Sequence, residues 1–303
     1  MRALLTGLMA SLLVSTGSVA APAPAPDASA LEATVINAHP ALWKVSDADT
    51  TIYLFGTIHL LKPDTNWFAG PIKAAFDASD ELILEMIQPS EAESIKIVMS
   101  RAIDPDGPPL SQKLTPVDAA KFRAALKTVD IAPEGLEPFE PWFASTLVAM
   151  APMKKLGYAP ESGAERLLTA AAKASAKKIG ALESMEEQIG FFDTLPEDQQ
   201  IKFLNSAVSE MPKAGKVVTA MIGSWSKGKP DKLAAVMNDG MNAMPEIKKV
   251  LLTDRNQRWA DWIAKRMAQP GTVFIAVGAG HLAGKESVQA MLKAKQLKAV
   301  RIN

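Results

Sequence analysis

TIYLFGTIHLL, Thr51 to Leu61, decides how this chain is read. Thr51 to Phe55 has the β-branched and aromatic content of a buried strand. Gly56, two further residues and His59 then arrive where that strand must stop. VFIAVGAGHLAG, Val273 to Gly284, repeats the plan late in the chain with Gly278 and His281. The whole sequence has three histidines, so two of them share one context. A residue without Cβ at a strand end either takes φ > 0 or lets another group approach closely. The imidazole three places on is then presented at the sheet edge instead of being buried in its face.

Working outward, Ala41 to Val45 and Thr51 to Phe55 flank the turn-forming cluster Ser46-Asp47-Ala48-Asp49, which predicts a hairpin. Asn66 is placed to cap a helix over Trp67 to Ser79. ELILEMI, Glu81 to Ile87, reads as a strand with Glu85 near its end, and Lys178 to Glu183 as another ending in Glu183. Between them, Glu91 to Ala176 has helical spacing broken at DPDGPP (Asp104 to Pro109) and PEGLEPFEP (Pro133 to Pro141). Asp198 to Arg266 is helical with a break near Lys227 to Pro230. Strand Thr272 to Val277, helix Lys285 to Ala294 and strand Ala299 to Ile302 follow. The expectation is an α/β (mixed α+β) fold: a central mixed sheet carrying a large helical insertion, or cap, over about residues 90–266.

Composition bounds the function. Met1-Arg2, the apolar run Ala3 to Val14 and Ser18-Val19-Ala20 read as a secretory signal, residues 1–20, cleaved after Ala20. APAPAPDASA opens an extended linker, residues 21–31, before a domain over 32–303. No later run approaches the roughly 20 apolar residues of a spanning helix, so no membrane span is expected after signal cleavage. The protein is expected to be periplasmic or secreted. Lys plus Arg and Asp plus Glu are 33 each and form no long block, which gives no electrostatic reason to expect nucleic acid or an anionic membrane as a partner. The absence of cysteine removes disulfides, thiolate metal sites, cysteine nucleophiles and a lipid anchor on an N-terminal cysteine.

His59, Glu85, Glu183 and His281 each fall at or just past the C-terminal end of a predicted strand, the edge where open α/β sheets bind ligands. Two histidines and a carboxylate with an open position form a common catalytic metal set. One GxxH alone carries little weight, because a histidine ending a strand is more often hydrogen-bonded structure. Two copies, each after an apolar strand and each followed by Leu, favour a shared site. Phosphate readings fail: Gly278 to Gly284 has five intervening residues where a P-loop needs four, Lys285 is followed by Glu286, and GxGxxG spacing is missed by one. No GxSxG elbow occurs.

LFGTIHLL, ELILEM, GALESMEEQIGFFDTLP (Gly180 to Pro196), DRNQRWADWI (Asp254 to Ile263) and FIAVGAGHLAGKESV (Phe274 to Val288) together resemble the TraB/GumN family, over about Ala41 to Asn303. That family is related to the Tiki metalloproteases, with paired GxxH motifs and a characteristic glutamate. The resemblance implies a metal-dependent hydrolase acting on a peptide or protein substrate, with manganese or cobalt in preference to zinc. By motif, His59 and His281 would be metal ligands and Glu85 a ligand or the general base. Arg255 and Asn256 match an Arg-Asn pair on a late helix. Arg255 would stabilise an oxyanion or clamp a carboxylate, or else make a salt bridge on a solvated helix face. Asn256 reads as a helix-to-loop hydrogen bond.

Ser184 and Glu187 form a capping box in their own right, which leaves Glu183 open between site and structure. Glu165 resembles an acidic family position but reads as a solvated face. His39, held extended by Pro40, reads as surface or packing. Met211, Met221, Met237, Met241 and Met244 read as cap packing. Two further function classes stand beside the hydrolase. One is a non-catalytic metal- or small-ligand-binding protein of the same fold. The other is a role near polysaccharide metabolism, with Glu85 and Glu183 as paired carboxylates and Trp142 or Trp225 as sugar platforms.

Overall fold

The structure, a computed structural model, describes residues 36–303. The expected signal sequence (1–20) and linker (21–31) lie outside the described residues. The strands are β1 Ile36–Asn37, β2 Leu42–Ser46, β3 Thr50–Thr57, β4 Thr65–Asn66, β5 Glu81–Met86, β6 Lys178–Glu183, β7 Gly271–Gly278 and β8 Val300–Arg301. The helices are α1 Gly70–Asp77, α2 Glu91–Ala102, α3 Leu110–Lys113, α4 Pro116–Thr128, α5 Pro141–Lys155, α6 Ala164–Ala174 and α7 Met185–Asp193. They continue with α8 Glu197–Glu210, α9 Ala214–Ser226, α10 Pro230–Met241, α11 Pro245–Lys248, α12 Asp254–Arg266 and α13 Val288–Ala294.

Six strands form one mixed sheet in the order β6-β5-β7-β3-β2-β8. β6, β5, β7 and β3 run parallel, while β2 is antiparallel to both β3 and β8. Side-chain alternation sorts the strands between two faces. Phe55, Leu82, Leu84, Phe274 and Ala276 pack against α1, α6, α9 and α10 on one face. Ile52, Leu54, Ile83, Val273, Ile275 and Val277 pack against α12 and α13 on the other. A third core joins the remaining cap helices, from Val98 on α2 to Ile247 on α11. Within the 90–266 span, β6 rejoins the sheet and α6 and α12 cover its faces, so the helical insertion is interrupted by one strand of the sheet.

The β3–β7 register sets up the site. Thr50 to Thr57 pairs in step with Gly271 to Gly278, so Gly56 faces Val277 and Thr57 faces Gly278. The two GxxH loops therefore leave the sheet side by side.

Several local expectations shift. Asn66 caps no helix: it pairs with Asn37 as part of β4, and α1 starts only at Gly70, whose φ of +54 turns the chain into Pro71 at the helix start. β5 ends at Met86, leaving Ile87 outside the strand and 48% exposed. α13 begins at Val288 and not Lys285, because the Ser287 side chain accepts from Ala290 N–H and fixes the cap there.

Candidate functional site

Gly56 and Gly278 serve close approach and not positive φ. Neither is among the positive-φ glycines of the described residues, and Gly278 has φ −50. A Cβ on Gly56 would stand 2.9 Å from Ala279 Cα, so the two loops touch there. A Cβ on Gly278 would stand 3.0 Å from Glu85 Oε1, 3.5 Å from His59 Nε2 and 3.7 Å from His281 Cδ2. Three polar side chains from three strand ends thus crowd the space that a bare α-carbon leaves.

Glu85 is 6% exposed and Arg255 2%. Gly278 N–H donates to Glu85 Oε1 at 2.5 Å, and Arg255 Nη2 donates to Glu85 Oε2 at 2.9 Å. Arg255 Nε and Nη2 also fork onto Glu183 at 2.7–3.0 Å, while Trp259 Nε1 and Gln188 Nε2 donate to the same carboxylate. The indole of Trp259, one turn along α12, lies under the guanidinium at 4.9 Å. Burial opposes ionisation of Glu85, yet the Arg255 guanidinium, the two histidines and the Gly278 N–H outweigh it and hold its pKa at about 2.

His281 is wholly buried, its ring 4.4 Å from that of Trp259. Its Nδ1 lies 2.5 Å from Asn256 Oδ1, and Asn256 Nδ2 donates to Glu286 O at 2.7 Å. With the amide so oriented, Nδ1 carries the proton and Nε2 accepts from Arg255 Nη1 at 3.2 Å. Burial, reinforced by the guanidinium, pushes His281 down to about 3, so the ring is neutral. His59 is the opposite case. Burial alone would lower it, but the Glu165 carboxylate 2.6 Å from Nδ1, with Glu85 beyond, raises it to about 9.

The structure thus gathers His59, Glu85, His281, Arg255, Asn256 and Glu183 at one sheet edge, with Glu183 linked to His281 through Arg255 and Trp259. Arg255 is not on a solvated face, and Glu165 is not either: it backs His59. Asn256 makes the expected helix-to-loop bond and also fixes the His281 tautomer. Sequence reasoning gave no role to Gln188 or Trp259. The i, i+4 spacing of Arg255 and Trp259 on α12 was the available signal for the second. The Ser184–Glu187 capping box is present. His39 is exposed and far from this cluster in its contacts, donating its backbone N–H to Ser226 O. Trp142 and Trp225 are 1% and 3% exposed, and Trp225 Nε1 donates to the Gly56 carbonyl at 2.7 Å, so neither offers a sugar platform.

Two spaces meet at the site. A cleft of about 750 Å³ opens between the end of β5 and α6 and is lined by His59, Glu85 and Glu165 at its base. A cavity of about 30 Å³ lies behind the GxxH loops, lined by His59 and His281 together with Met221, Met237 and Met241.

The donor chemistry suits a divalent ion: two imidazoles, each oriented through Nδ1 by an oxygen partner, and a carboxylate held ionised. Among the described residues no three His, Asp, Glu or Cys side chains stand as a ready-made metal group. His281 Nε2 is 3.8 Å from Glu85 Oε1 and is engaged by Arg255 Nη1, so loading an ion requires that nitrogen to exchange its partner.

The sequence pattern of the TraB/PrgY/gumN family matches residues 41–301, the span that carries every element of this site. The chain belongs to the TraB/PrgY/gumN family. Its relatives include YbaP of Escherichia coli (strain K12), 22% identical over 242 residues that cover 80% of this chain and 87% of YbaP. YbaP of Shigella flexneri matches to the same extent. No solved structure matches.

Proposed function

We propose that this member of the TraB/PrgY/gumN family is an exported metal-dependent hydrolase of peptide bonds. The observation that carries the reading is the convergence of His59, Glu85 and His281 on the space beside Gly278, with His59 and Glu85 also lining a cleft large enough for an extended chain. His59 and His281 would hold the ion through Nε2. When bound, a divalent ion, manganese or cobalt in preference to zinc, supplies Lewis acidity that makes hydroxide available near neutral pH.

The chain's own residues do the rest. Asn256 and Glu165 fix the two ring orientations. Glu85, held ionised at about 2, is a better ligand than proton acceptor, since a base works best with a pKa near the working pH. Arg255 lines neither the cleft nor the cavity, so its charge acts on the site through Glu85 and His281, which it holds in place.

The test is metal content and peptide cleavage of the purified chain after loading with manganese, cobalt or zinc, beside His59→Ala and His281→Ala. About one ion per chain, with cleavage, both lost in each variant, is the expected result. Cleavage unchanged in both variants would sink the proposal. One observation favours a second reading, a binding protein without turnover: Arg255 Nη1 already satisfies His281 Nε2. That reading expects metal-dependent thermal stabilisation and no cleavage.

A further inference from the structure

The cleft and the cavity share a wall. His59 borders both; Glu85 borders only the cleft, and His281 only the cavity. The place where the three approach one another is therefore the boundary between a large cleft that carries carboxylates and a small, almost wholly apolar cavity.

We propose that the cavity is a specificity subsite for one small apolar side chain of the substrate, that of the residue adjoining the reacting carbonyl. The proposal rests on the reading of the site as a peptide hydrolase. A chain lying in the cleft with a carbonyl at the boundary can send a neighbouring side chain inward only between the two GxxH loops. Behind them it meets Met153 on α5, Val218 and Met221 on α9, and Met237 and Met241 on α10.

A cavity of about 30 Å³, against about 750 Å³ for the cleft, favours a small side chain. The polar side chains on the lining, Thr57, His59 and His281, all come from the two GxxH stretches, and the helices behind them present only thioether and aliphatic groups. No carboxylate stands on the lining, so a lysine side chain would be buried without a partner there. Met237 and Met241 are one helical turn apart and face the cavity together, and Met237 Cε closes on Gly280, where a Cβ would stand 2.5 Å away. Unbranched methionines repack readily, so the subsite widens for valine or leucine with a loss of affinity.

Two readouts test this. The first is the cleavage rate of the metal-loaded chain on short peptide amides that differ only at that residue: Gly, Ala, Val, Leu, Phe, Asp and Lys. The second needs no metal: titration of N-acetyl amino-acid amides of the same series into the metal-free chain, followed by the methyl resonances of Met237 and Met241. Alanine is expected to lead in both, about tenfold or more over Gly and Lys. Met241→Ala should move the preference to Leu or Phe by about tenfold, and Val218→Leu, which adds one methylene, should reduce the preference for Ala. If Met241→Ala does not fold, Val218→Leu carries the test alone. Cleavage indifferent to the side chain, or preferences unmoved in both variants, overturns the subsite. Amide binding in the expected order with no cleavage of any peptide supports the subsite and overturns the hydrolase.

Discussion

Arg255 at the sheet edge and Lys113 in the helical cap each gather several carboxylates, but only those around Arg255 are themselves buried. Arg255, Glu85 and Glu183 have side chains 2%, 7% and 2% exposed. Lys113 is covered to the same degree, with Asp104 at 2.8 Å, Glu197 at 3.0 Å and Glu140 at 3.6 Å, yet those partners are 27%, 56% and 21% exposed. In the cap, water shares the load and each carboxylate can turn away. At the sheet edge every oxygen is committed to a specific donor, so the charges are costly to bury and their positions are fixed. That fixity is what a site needs and what a cap does not.

The largest break in this comparison should come from Arg255→Met. It leaves Glu85 buried without its cation and Glu183 with only the half-exposed Arg258 guanidinium at 3.3 Å, and removing one partner of such a set costs about 3–5 kcal/mol. Denaturant unfolding should show the loss, little changed by salt, and Arg255→Lys should recover part of it because an ammonium keeps the charge but not the fork. A loss below about 1 kcal/mol in Arg255→Met would mean the cluster is not dry.

Most of the frame was legible because it obeys periodicity. β3, β5, β6 and β7 follow apolar runs of strand length, and the paired glycine-to-histidine spacing marks two strand ends that the β3–β7 register then places together. What was not legible depends on partners far apart in sequence. Glu165 reads as a solvated residue because nothing in α6 reveals that His59 lies against it. Arg255 is ambiguous on its own helix, since its burial is set by Glu85 and Glu183 on two other elements. Asn66 is a sound capping residue by type, but its segment is claimed by pairing with β1, and a two-residue bridge leaves no periodic trace.

Acidity separates the two clusters next. In an unfolded chain an imidazole titrates near 6.5, whereas folded His281 titrates at about 3. Its contribution is complete above 6.5 and is lost as pH falls toward 3, because the unfolded state takes the proton first. Glu85, at about 2, adds a loss as pH drops through the ordinary carboxylate range. His59 has the opposite sign: raised to about 9, it stabilises the metal-free chain below 6.5 and that contribution disappears as pH climbs through 9. Melting temperatures of the metal-free chain should therefore fall on both sides of a maximum near neutrality, and Glu165→Gln should flatten the alkaline side. An alkaline limb identical in Glu165→Gln would show that the His59–Glu165 pair does not set it. The cap cluster should add little, since Lys113 lowers Asp104 while burial raises Glu140, and the two act in opposite directions.

Lys113→Met should give the smallest effect and the clearest contrast. The methionine keeps the apolar stem that Lys113 buries and deletes only the ammonium, releasing three carboxylates that can each reach water. The loss should be about 1 kcal/mol or less. It should shrink further as salt rises, because Glu197 is 56% exposed and its attraction is screened over about 8–10 Å at ordinary ionic strength. Salt thus becomes the discriminating variable: it should erase the difference between wild type and Lys113→Met while leaving the Arg255→Met deficit in place. Equal salt sensitivity in the two variants would mean that water reaches both clusters, and that the sheet edge owes its order to packing around Arg255 and not to exclusion of solvent.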